Sequence, residues 1–343
     1  MKNKLPSSLR KSILQVRLLL LSIVALSTMK MNAQLILAGQ NYTGGFDKYP
    51  TFNSTHIKEN KIKGITFEII DKKDFQVAVD NGLIQQFDFD KEGRLIRYYY
   101  TEINKTLVKQ FQKPPVYRKK KKISEGGTYF KNEIIFDTIS YIFFYNEKNK
   151  VKLKRYNNKD WYESTYYDYD NDGNLTRELR CKETNVSGDP SVFQLGIQTI
   201  ISEEKFIYEK TGSLQVKKKS LNDEGRVFKE AILNFTENGK ISTIDENFTA
   251  TWISQQTVFK YNEKNQLIEK KYSSDTNGSM STTDIFEYDA KGNILTEYQY
   301  KNGVLVNELS YLFNEENQNV KSFLIRDHLS KSIRITKVEY KKQ

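Results

Sequence analysis

The stretch Tyr288-Asp289-Ala290-Lys291-Gly292-Asn293-Ile294 is the clearest copy of a pattern that recurs along this chain. An aromatic residue is followed four positions later by glycine or asparagine, and an aliphatic residue stands two positions beyond that. The pattern occurs eight times, with its fifth position at Gly93, Asn149, Gly173, Gly212, Gly239, Asn265, Gly292 and Asn317. In seven of these copies a second aromatic residue precedes the first by two positions. Self-similarity of this kind predicts a repeat architecture.

Each copy has the chemistry of a β-hairpin. Side chains alternate with period two along a strand, so the two aromatic residues share one face. An Asp or Asn at the turn entry accepts hydrogen bonds from nearby backbone amides and begins a type I turn. The glycine or asparagine then takes the positive φ that closes such a hairpin. In the last copy the aliphatic residue slips by one position to Val320, which predicts a different turn there.

Tandem hairpins pack mainly against their neighbours along the chain. We therefore predict an all-β fold in which tandem β-hairpin repeats form one elongated, curved antiparallel sheet. The copies at 169–175 and 288–294 resemble the tyrosine-aspartate (YD) repeats of the Rhs family, and the resemblance covers roughly residues 80–325. It implies hairpins that wind into a long curved sheet, and it brings no catalytic residues. The tighter Asn-Gly turns at 81–82 and 302–303 are similar to MORN-like repeats.

Residues 1–33 have the features of a secretory signal peptide. They hold six basic residues and no acid, with an apolar run from Leu18 to Leu26 that is too short to span a bilayer as a helix. We place cleavage between Ala33 and Gln34, with a cut after Ser27 as the alternative. The Ala-Gln junction and a composition rich in Lys, Asn, Ile and Tyr resemble exported proteins of Bacteroidetes. The predicted location is periplasmic, outer-membrane-associated or secreted.

Charge and cysteine content exclude some classes of protein. The formal net charge is +11, and removal of residues 1–33 leaves +5, which is modest for a chain of this length. This argues against a general nucleic-acid-binding protein. Cys181 is the only cysteine, so no intrachain disulfide is available. A hydrophobic fraction of 38% suits a thin curved sheet better than a deep core.

The repeat also suggests how the chain is organised. Residues 34–80 match it poorly and are predicted to form an N-terminal cap with strands at 64–70 and 75–79. Residues 81–343 are predicted to be the repeat domain, with insertions near 101–139 and 181–198. The first insertion contains two prolines at 114–115 and a run of basic residues, which predict an irregular exposed loop. The segment 331–342 alternates apolar and basic residues, as is typical of an edge strand whose lysines oppose aggregation.

A candidate calcium site lies in one repeat. Asp168, Asp170 and Asp172 precede Gly173 with the spacing of the first half of an EF-hand loop. The twelfth position should hold a bidentate glutamate but holds Leu179. The repeat alone explains Asp170 and Gly173 as turn residues, so an ordinary turn is the alternative. No other cofactor is predicted.

Two further groups of residues are candidates for binding. The basic run would suit an anionic partner such as an acidic glycan, with solvated loop charge as the alternative; it consists of Arg118, Lys119, Lys120, Lys121 and Lys122. Tyr98 and Tyr166 stand beside other aromatic residues. Since neighbouring residues on a strand face opposite ways, we predict outward rings there that stack on sugars. For most aromatic residues of the repeat, which lie at its inward-facing phase, core packing is the predicted role.

The sequence offers little for catalysis. The two histidines, His56 and His328, are far apart, and we find no nucleophile elbow, zinc-binding motif or phosphate-binding glycine loop. We predict a non-enzymatic exported protein that acts as a binding or scaffold module of the cell envelope or surface. Its partners would be envelope glycans or another surface protein, without nucleic acid and without a transmembrane span after signal removal. A lectin-like glycan-binding protein is the first alternative. A carboxylate-dependent hydrolase is the second, because the turns supply many acids.

Overall fold

The computed structural model describes residues 52–73, 75–113, 116–118, 121–124, 127–157, 161–187, 192–276, 280–316 and 319–342, without the side chains of 81 and 102–138. One short helix, α1 at Ser54–Glu59, precedes twenty strands. Within the described ranges, no helix is long and apolar enough to cross a membrane.

The strands are short and follow one another closely along the chain. They are β1 Ile62–Lys73, β2 Val79–Phe89, β3 Leu95–Lys113, β4 Val116–Arg118, β5 Lys121–Ser124, β6 Gly127–Tyr145, β7 Val151–Asn157, β8 Tyr162–Tyr169, β9 Leu175–Asn185, β10 Leu195–Gly212, β11 Gln215–Leu221, β12 Val227–Phe235, β13 Ile241–Phe248, β14 Ile253–Tyr261, β15 Leu267–Ser274, β16 Met280–Tyr288, β17 Ile294–Lys301, β18 Val304–Phe313, β19 Val320–Asp327 and β20 Ser332–Lys342.

Eighteen of these strands form one antiparallel sheet that closes on itself. From β6 to β20 each strand pairs with the next, β3 pairs with both β2 and β6, and β4 with β5 forms a separate hairpin. The ring is completed by β1, which pairs with β2 on one side and with β20 on the other. The pairing of β1 with β20 extends from Ile62↔Lys342 to Lys73↔Ser332. The predicted elongated, open sheet is therefore wrong. The fold is a closed 18-stranded antiparallel barrel.

Closure also overturns the edge-strand prediction. The segment 331–342 contains β20, which is hydrogen-bonded to β19 and to β1 and is therefore an interior strand of the sheet. The residue range of its partner β1, Ile62–Lys73, includes the strand predicted at 64–70 within the N-terminal cap. The strand expected at 75–79 begins only at Val79, as the first residue of β2.

The irregular loop predicted in the first insertion is also wrong for most of its length. The backbones of β3 and β6 stay paired from Arg97↔Ile142 out to Lys113↔Gly127. The two prolines at 114–115 follow β3 in the sequence and lie outside the described residues.

Because the strands are antiparallel, successive connections alternate between the two ends of the barrel. One end, here called the turn end, holds the repeat turns, from the β2–β3 turn at 90–94 to the β18–β19 turn that begins at Asn314. The other, here called the loop end, holds the nine connections β1–β2, β3–β6, β7–β8, β9–β10, β11–β12, β13–β14, β15–β16, β17–β18 and β19–β20. The helix α1 precedes β1 at the turn end.

The predicted turn chemistry is confirmed in most copies. In the β16–β17 turn, the amide of Asn293 donates to Asp289 Oδ1 at 2.8 Å, and Gly292 has a φ of 89°. Asn149 and Asn265 take positive φ at the same position of their copies. Among the described copies Gly212 is the exception, since it belongs to β10 and pairs with Gln215 in a tighter turn. Asn317 of the last copy lies outside the described residues.

The aromatic residues of the repeat lie mainly on the inner face of the barrel. Residues paired across strands share a face, and one such row crosses five adjacent strands through Tyr340, Ile65, Phe87, Tyr98 and Tyr141. Four of the row are buried in the core cluster and Tyr340 packs against it. Since the inside of a closed barrel is the side shielded from water, this face is the inner one.

The helix α1 packs near the seam between β20 and β1. Phe52, just before it, contacts the inner-face ring of Phe87 with the centroids 4.8 Å apart. The β2–β3 turn lies so close that a Cβ on Gly93 would stand 2.1 Å from the Ser54 carbonyl oxygen. Gly93 thus serves both the positive φ of its turn and the close approach of α1.

Tyrosines of the repeat also tie each copy to the one before it. The hydroxyl of Tyr288 donates to the carbonyl oxygen of Leu267, the aliphatic residue of the preceding copy, at 2.6 Å. The equivalent bonds run from Tyr145 to Leu95, Tyr169 to Val151, Tyr261 to Ile241 and Tyr340 to Val320. Tyr340 holds this position on β20 although no copy was predicted there. The bond gives tyrosine a role that phenylalanine lacks.

We expect Tyr288→Phe to lower the free energy of unfolding by about 1 kcal/mol, because the hydrogen bond to Leu267 is lost while the ring is kept. Urea unfolding of the two proteins measures the difference. The matched control is Tyr272→Phe in β15, a half-buried tyrosine with no hydroxyl hydrogen bond among the described contacts. Equal losses for the two variants would contradict a special role for the inter-copy bond.

Candidate functional site

The outer wall of the barrel carries charges in pairs among scattered exposed apolar side chains such as Ile200, Ile207 and Leu312. Ion pairs join neighbouring strands across the wall, with N–O distances of 2.9 Å for Lys217–Glu230, 2.6 Å for Lys219–Glu209 and 2.8 Å for Lys260–Glu269. A barrel that spans a bilayer has the opposite arrangement, with an apolar outer face on which a lysine or arginine at mid-depth costs roughly 2–4 kcal/mol. The described wall therefore has the polarity of a surface in water.

The most exposed apolar side chains lie at the loop end. Trp252 in the β13–β14 turn is 88% exposed, Leu329 in the β19–β20 turn is 70% exposed, and Phe75 in the β1–β2 connection is fully exposed. Four more connections have such residues within them or at the first residue of the strand that follows. Val186 and Val192 lie within the β9–β10 connection, and Val227, Met280 and Val304 begin β12, β16 and β18. These eight residues are here called the loop-end rim. Among the described turn residues of the opposite end, Leu214 is the single large apolar side chain that is exposed.

Two members of the rim have an unfavourable backbone conformation. Phe75 has a φ of 63° and Trp252 a φ of 56°, in the left-handed region that glycine and asparagine usually fill. A residue with a Cβ pays roughly 1–2 kcal/mol there. Such strain in a folded protein is often found at functional positions. Both rings point into solvent, so packing of these rings in the barrel does not offset the strain.

The rim is held together by hydrogen bonds between neighbouring connections. Thr249 Oγ1 donates to the carbonyl oxygen of Val227 at 2.9 Å, which joins the β13–β14 and β11–β12 turns. The amide of Ser254 donates to Asp275 Oδ1 at 2.8 Å, which joins the β13–β14 and β15–β16 connections. The apolar tips are therefore presented on a connected frame.

A buried ionic cluster lies on the wall beneath the β9–β10 connection. Glu183 is 0% exposed and accepts four hydrogen bonds. Ser164 Oγ and Arg155 Nε donate to its Oε2 at 2.5 and 3.2 Å. The Tyr166 hydroxyl and Gln198 Nε2 donate to its Oε1 at 2.5 and 2.8 Å. The carboxylate is thus fully enclosed by donors.

These hydrogen-bond donors favour the ionised form of Glu183. Burial raises the pKa of its carboxyl, but the hydrogen bonds from Ser164, Tyr166 and Gln198 and the charge of Arg155 outweigh burial and hold the pKa below its usual value. The ring of Phe193 covers the cluster, 3.6 Å from Arg155 Cζ. We interpret the cluster as an anchor for the β9–β10 connection. Glu183, Phe193 and Gln198 lie in the predicted insertion at 181–198, and no other feature of the sequence pointed to the cluster.

The predicted calcium ligands are engaged in local contacts. Asp168 forms an ion pair with Arg177 at 3.2 Å. Asp170 closes its turn, and hydrogen bonds from the side chain and the backbone of Asn174 hold the pKa of its carboxyl below the usual value. Asp172 is exposed at the tip. The described part of the chain holds no group of three or more His, Cys, Asp or Glu residues arranged to bind a metal. Calcium binding stays a prediction without added support.

The binding candidates are placed differently from one another. Tyr98 is 2% exposed and stacks between Phe87 and Tyr141, so the outward ring predicted there is wrong. Its cross-strand partners lie on the inner face, and Tyr99 takes the outward position instead. Tyr166 lies on the wall, but its hydroxyl is committed to Glu183.

The basic run remains a prediction. Arg118 is the last residue of β4, and Lys121 and Lys122 begin β5, so their backbone continues from the long β3–β6 hairpin at the loop end. Lys119 and Lys120 lie outside the described residues.

Comparisons with known proteins do not identify a family. No family model and no curated protein matches the chain. Among solved structures it is similar to a porin-like protein from Bacteroides uniformis, with 8% identity, coverage of 82% of this chain and 98% of that one, and a TM-score of 0.37. A porin-like protein from Bacteroides vulgatus has 7% identity to the chain, with coverage of 82% of this chain and 98% of that one and a TM-score of 0.32. The TcdB2-TccC3 structure has 9% identity to the chain, with coverage of 72% of this chain and 21% of that one and a TM-score of 0.20.

TM-scores of this size carry no argument about fold or function, so the barrel rests on the strand pairing of the chain itself. The assignment to Rhs-type YD repeats, and with it the weaker likeness to MORN repeats, is wrong. No family model supports it, and the closure of β1 on β20 excludes the elongated open sheet that the resemblance implied.

Proposed function

We propose that this chain is an exported, non-enzymatic barrel that binds other components of the cell envelope through its loop-end rim. The observation that carries the proposal is the concentration of the most exposed apolar side chains at one end of the barrel. Exposed apolar surface on a water-soluble protein marks a place of interaction. The signal-like residues 1–33 support export.

The rest of the barrel supports the same role. The paired charges of the wall favour contact with water, and the turn end is almost wholly polar among its described turn residues. The most enclosed carboxylate, Glu183, is covered by Phe193 and held by four donors, which suits an anchor better than acid–base chemistry. We therefore assign binding to the rim, and the barrel is the scaffold that supports it.

Photo-crosslinking in cells tests the proposal. A photoreactive residue is placed in the full chain at Trp252 on the rim, at Lys271 on the wall or at Glu237 in a turn of the opposite end, all of which are exposed. We expect envelope adducts from position 252 at several times the yield from the other two, in the exported fraction. Equal yields at the three positions would overturn the rim as the contact surface. Lipid adducts from position 271 would overturn the water-facing wall.

A further inference from the structure

We infer that the loop-end rim binds the surface of an anionic lipid bilayer, an inference that rests on the proposed function and names its partner. The argument begins with where the two exposed aromatic residues lie on the ring. Between the connections of Phe75 and Trp252 stand ten strands on one side of the barrel and eight on the other. The two rings are thus on nearly opposite sides of the loop end.

Opposed anchors favour a flat partner. The other six rim residues lie on the two arcs between these anchors, with Val186, Val192 and Val227 on one arc and Met280, Val304 and Leu329 on the other. A protein partner that bound locally would need adjacent apolar residues in one patch. Tips spread around a closed ring meet their partner together only when that partner is a broad surface. A bilayer is such a surface, and it accepts each apolar tip independently.

The side chains also match the chemistry of a bilayer. Tryptophan and phenylalanine are the residues that peripheral proteins place at the boundary of headgroups and acyl chains. Both rings are held out in solvent by a backbone conformation that disfavours any side chain. The wall behind them is charged, so insertion stops at the depth of the rim.

The charged residues near the rim favour an anionic surface as the partner. Near the rim, Asp327 accepts hydrogen bonds from the amides of Leu329 and Ser330 at 2.8 and 2.9 Å, and Glu224 is paired with Arg226 at 3.0 Å. Lys301 and Lys331, in two of the same connections, are exposed. The β4–β5 hairpin, which carries Arg118 and Lys121, joins β3 and β6 at this end. Each basic residue near an anionic membrane strengthens binding about fivefold.

Tryptophan fluorescence with vesicles tests the inference on the purified mature chain. The protein has two tryptophans, so Trp161→Phe leaves Trp252 as the only reporter and Trp252→Phe leaves Trp161. The vesicles contain phosphatidylcholine alone or phosphatidylcholine with phosphatidylglycerol. With the anionic vesicles we expect a blue shift and strong quenching by brominated acyl chains for the Trp161→Phe protein. We expect much weaker changes for the Trp252→Phe protein, whose Trp161 lies in the β7–β8 connection at the same end but is partly buried beside Lys182.

Vesicle flotation then measures the contribution of the rim. We expect the double variant Phe75→Ala with Trp252→Ala to bind anionic vesicles at least about tenfold more weakly, because two anchors are removed. The matched control removes two exposed leucines away from the loop end, Leu214→Ala with Leu312→Ala, and should bind like the parent. All four positions are exposed, so folding is preserved and is checked by circular dichroism.

Several outcomes would overturn the inference. Absence of binding to anionic vesicles would do so, as would binding that the double rim variant leaves unchanged. Sedimentation that depends on Trp252 but not on vesicles would show that a second copy of the chain covers the rim. Protein adducts from position 252 in cells, together with no vesicle binding, would refute the bilayer but leave the proposed function standing.

Discussion

Proline at Thr336 and proline at Lys337 are each expected to lower the free energy of unfolding by roughly 3 kcal/mol. The two residues are neighbours on β20, so their amides point to opposite sides of the strand. In the barrel one side of β20 is occupied by β19 and the other by β1, with Thr336 paired to both Phe323 and Ile69. Either proline therefore removes a hydrogen bond from a ladder. Urea unfolding of the purified proteins measures both losses.

The pair of variants separates a closed barrel from an open sheet. If β20 were an edge strand, one of the two amides would face solvent, and proline at that position would be tolerated. Alanine at the same two positions is the control, because it removes the side chain and keeps the amide. A loss below about 1 kcal/mol for one proline variant, relative to its alanine control, would show that the seam between β20 and β1 does not form.

The hairpins could be predicted from the sequence because their causes are local. Alternating aromatic residues, an Asp or Asn at the turn entry, and Gly292 or Asn265 at positive φ all act within a few residues. The same local chemistry accounts for Asp170, whose carboxylate closes a turn of the repeat. That is also why the calcium-like spacing in this copy is a weak signal.

Closure could not be predicted in the same way. The alternation of inner and outer residues is identical in an open sheet and in a barrel. Of the lysines that suggested an edge in 331–342, Lys337 and Lys341 lie on the outer wall of β20. What closes the sheet is the pairing of β1 with β20, between residues as distant in sequence as Ile62 and Lys342. No repeat marks β1 as the partner, since residues 34–80 lack the pattern.

Two features of the candidate site were missed for related reasons. The face of Tyr98 depends on its partners Phe87 and Tyr141, and a run of three tyrosines does not show which of them points inward. The rim residues stand in connections that differ in length and share no motif. A tryptophan in the short segment between β13 and β14 was the available signal, because turn positions rarely hold a large apolar residue.

Glu183→Ala is expected to lower the free energy of unfolding by roughly 3–5 kcal/mol, because it removes one partner of a buried ion pair. Arg155, whose side chain is 9% exposed, would keep its charge without the carboxylate. Ser164, Tyr166 and Gln198 would lose their acceptor as well. The control is Glu230→Ala, which breaks the partly exposed pair with Lys217 on the same wall and should cost less than about 1 kcal/mol.

The dependence on pH gives the same prediction a second measurement. The pKa of Glu183 is lower in the folded chain than the ordinary glutamate value of 4.5, so the folded state binds this proton less readily than the unfolded state does. Its stabilising contribution is therefore complete above that value and is lost as the pH falls through the folded pKa. The difference in stability between the parent and Glu183→Ala should accordingly shrink on acidification. A difference that stays constant from neutral pH to pH values below about 4 would show that the carboxylate does not act through its charge.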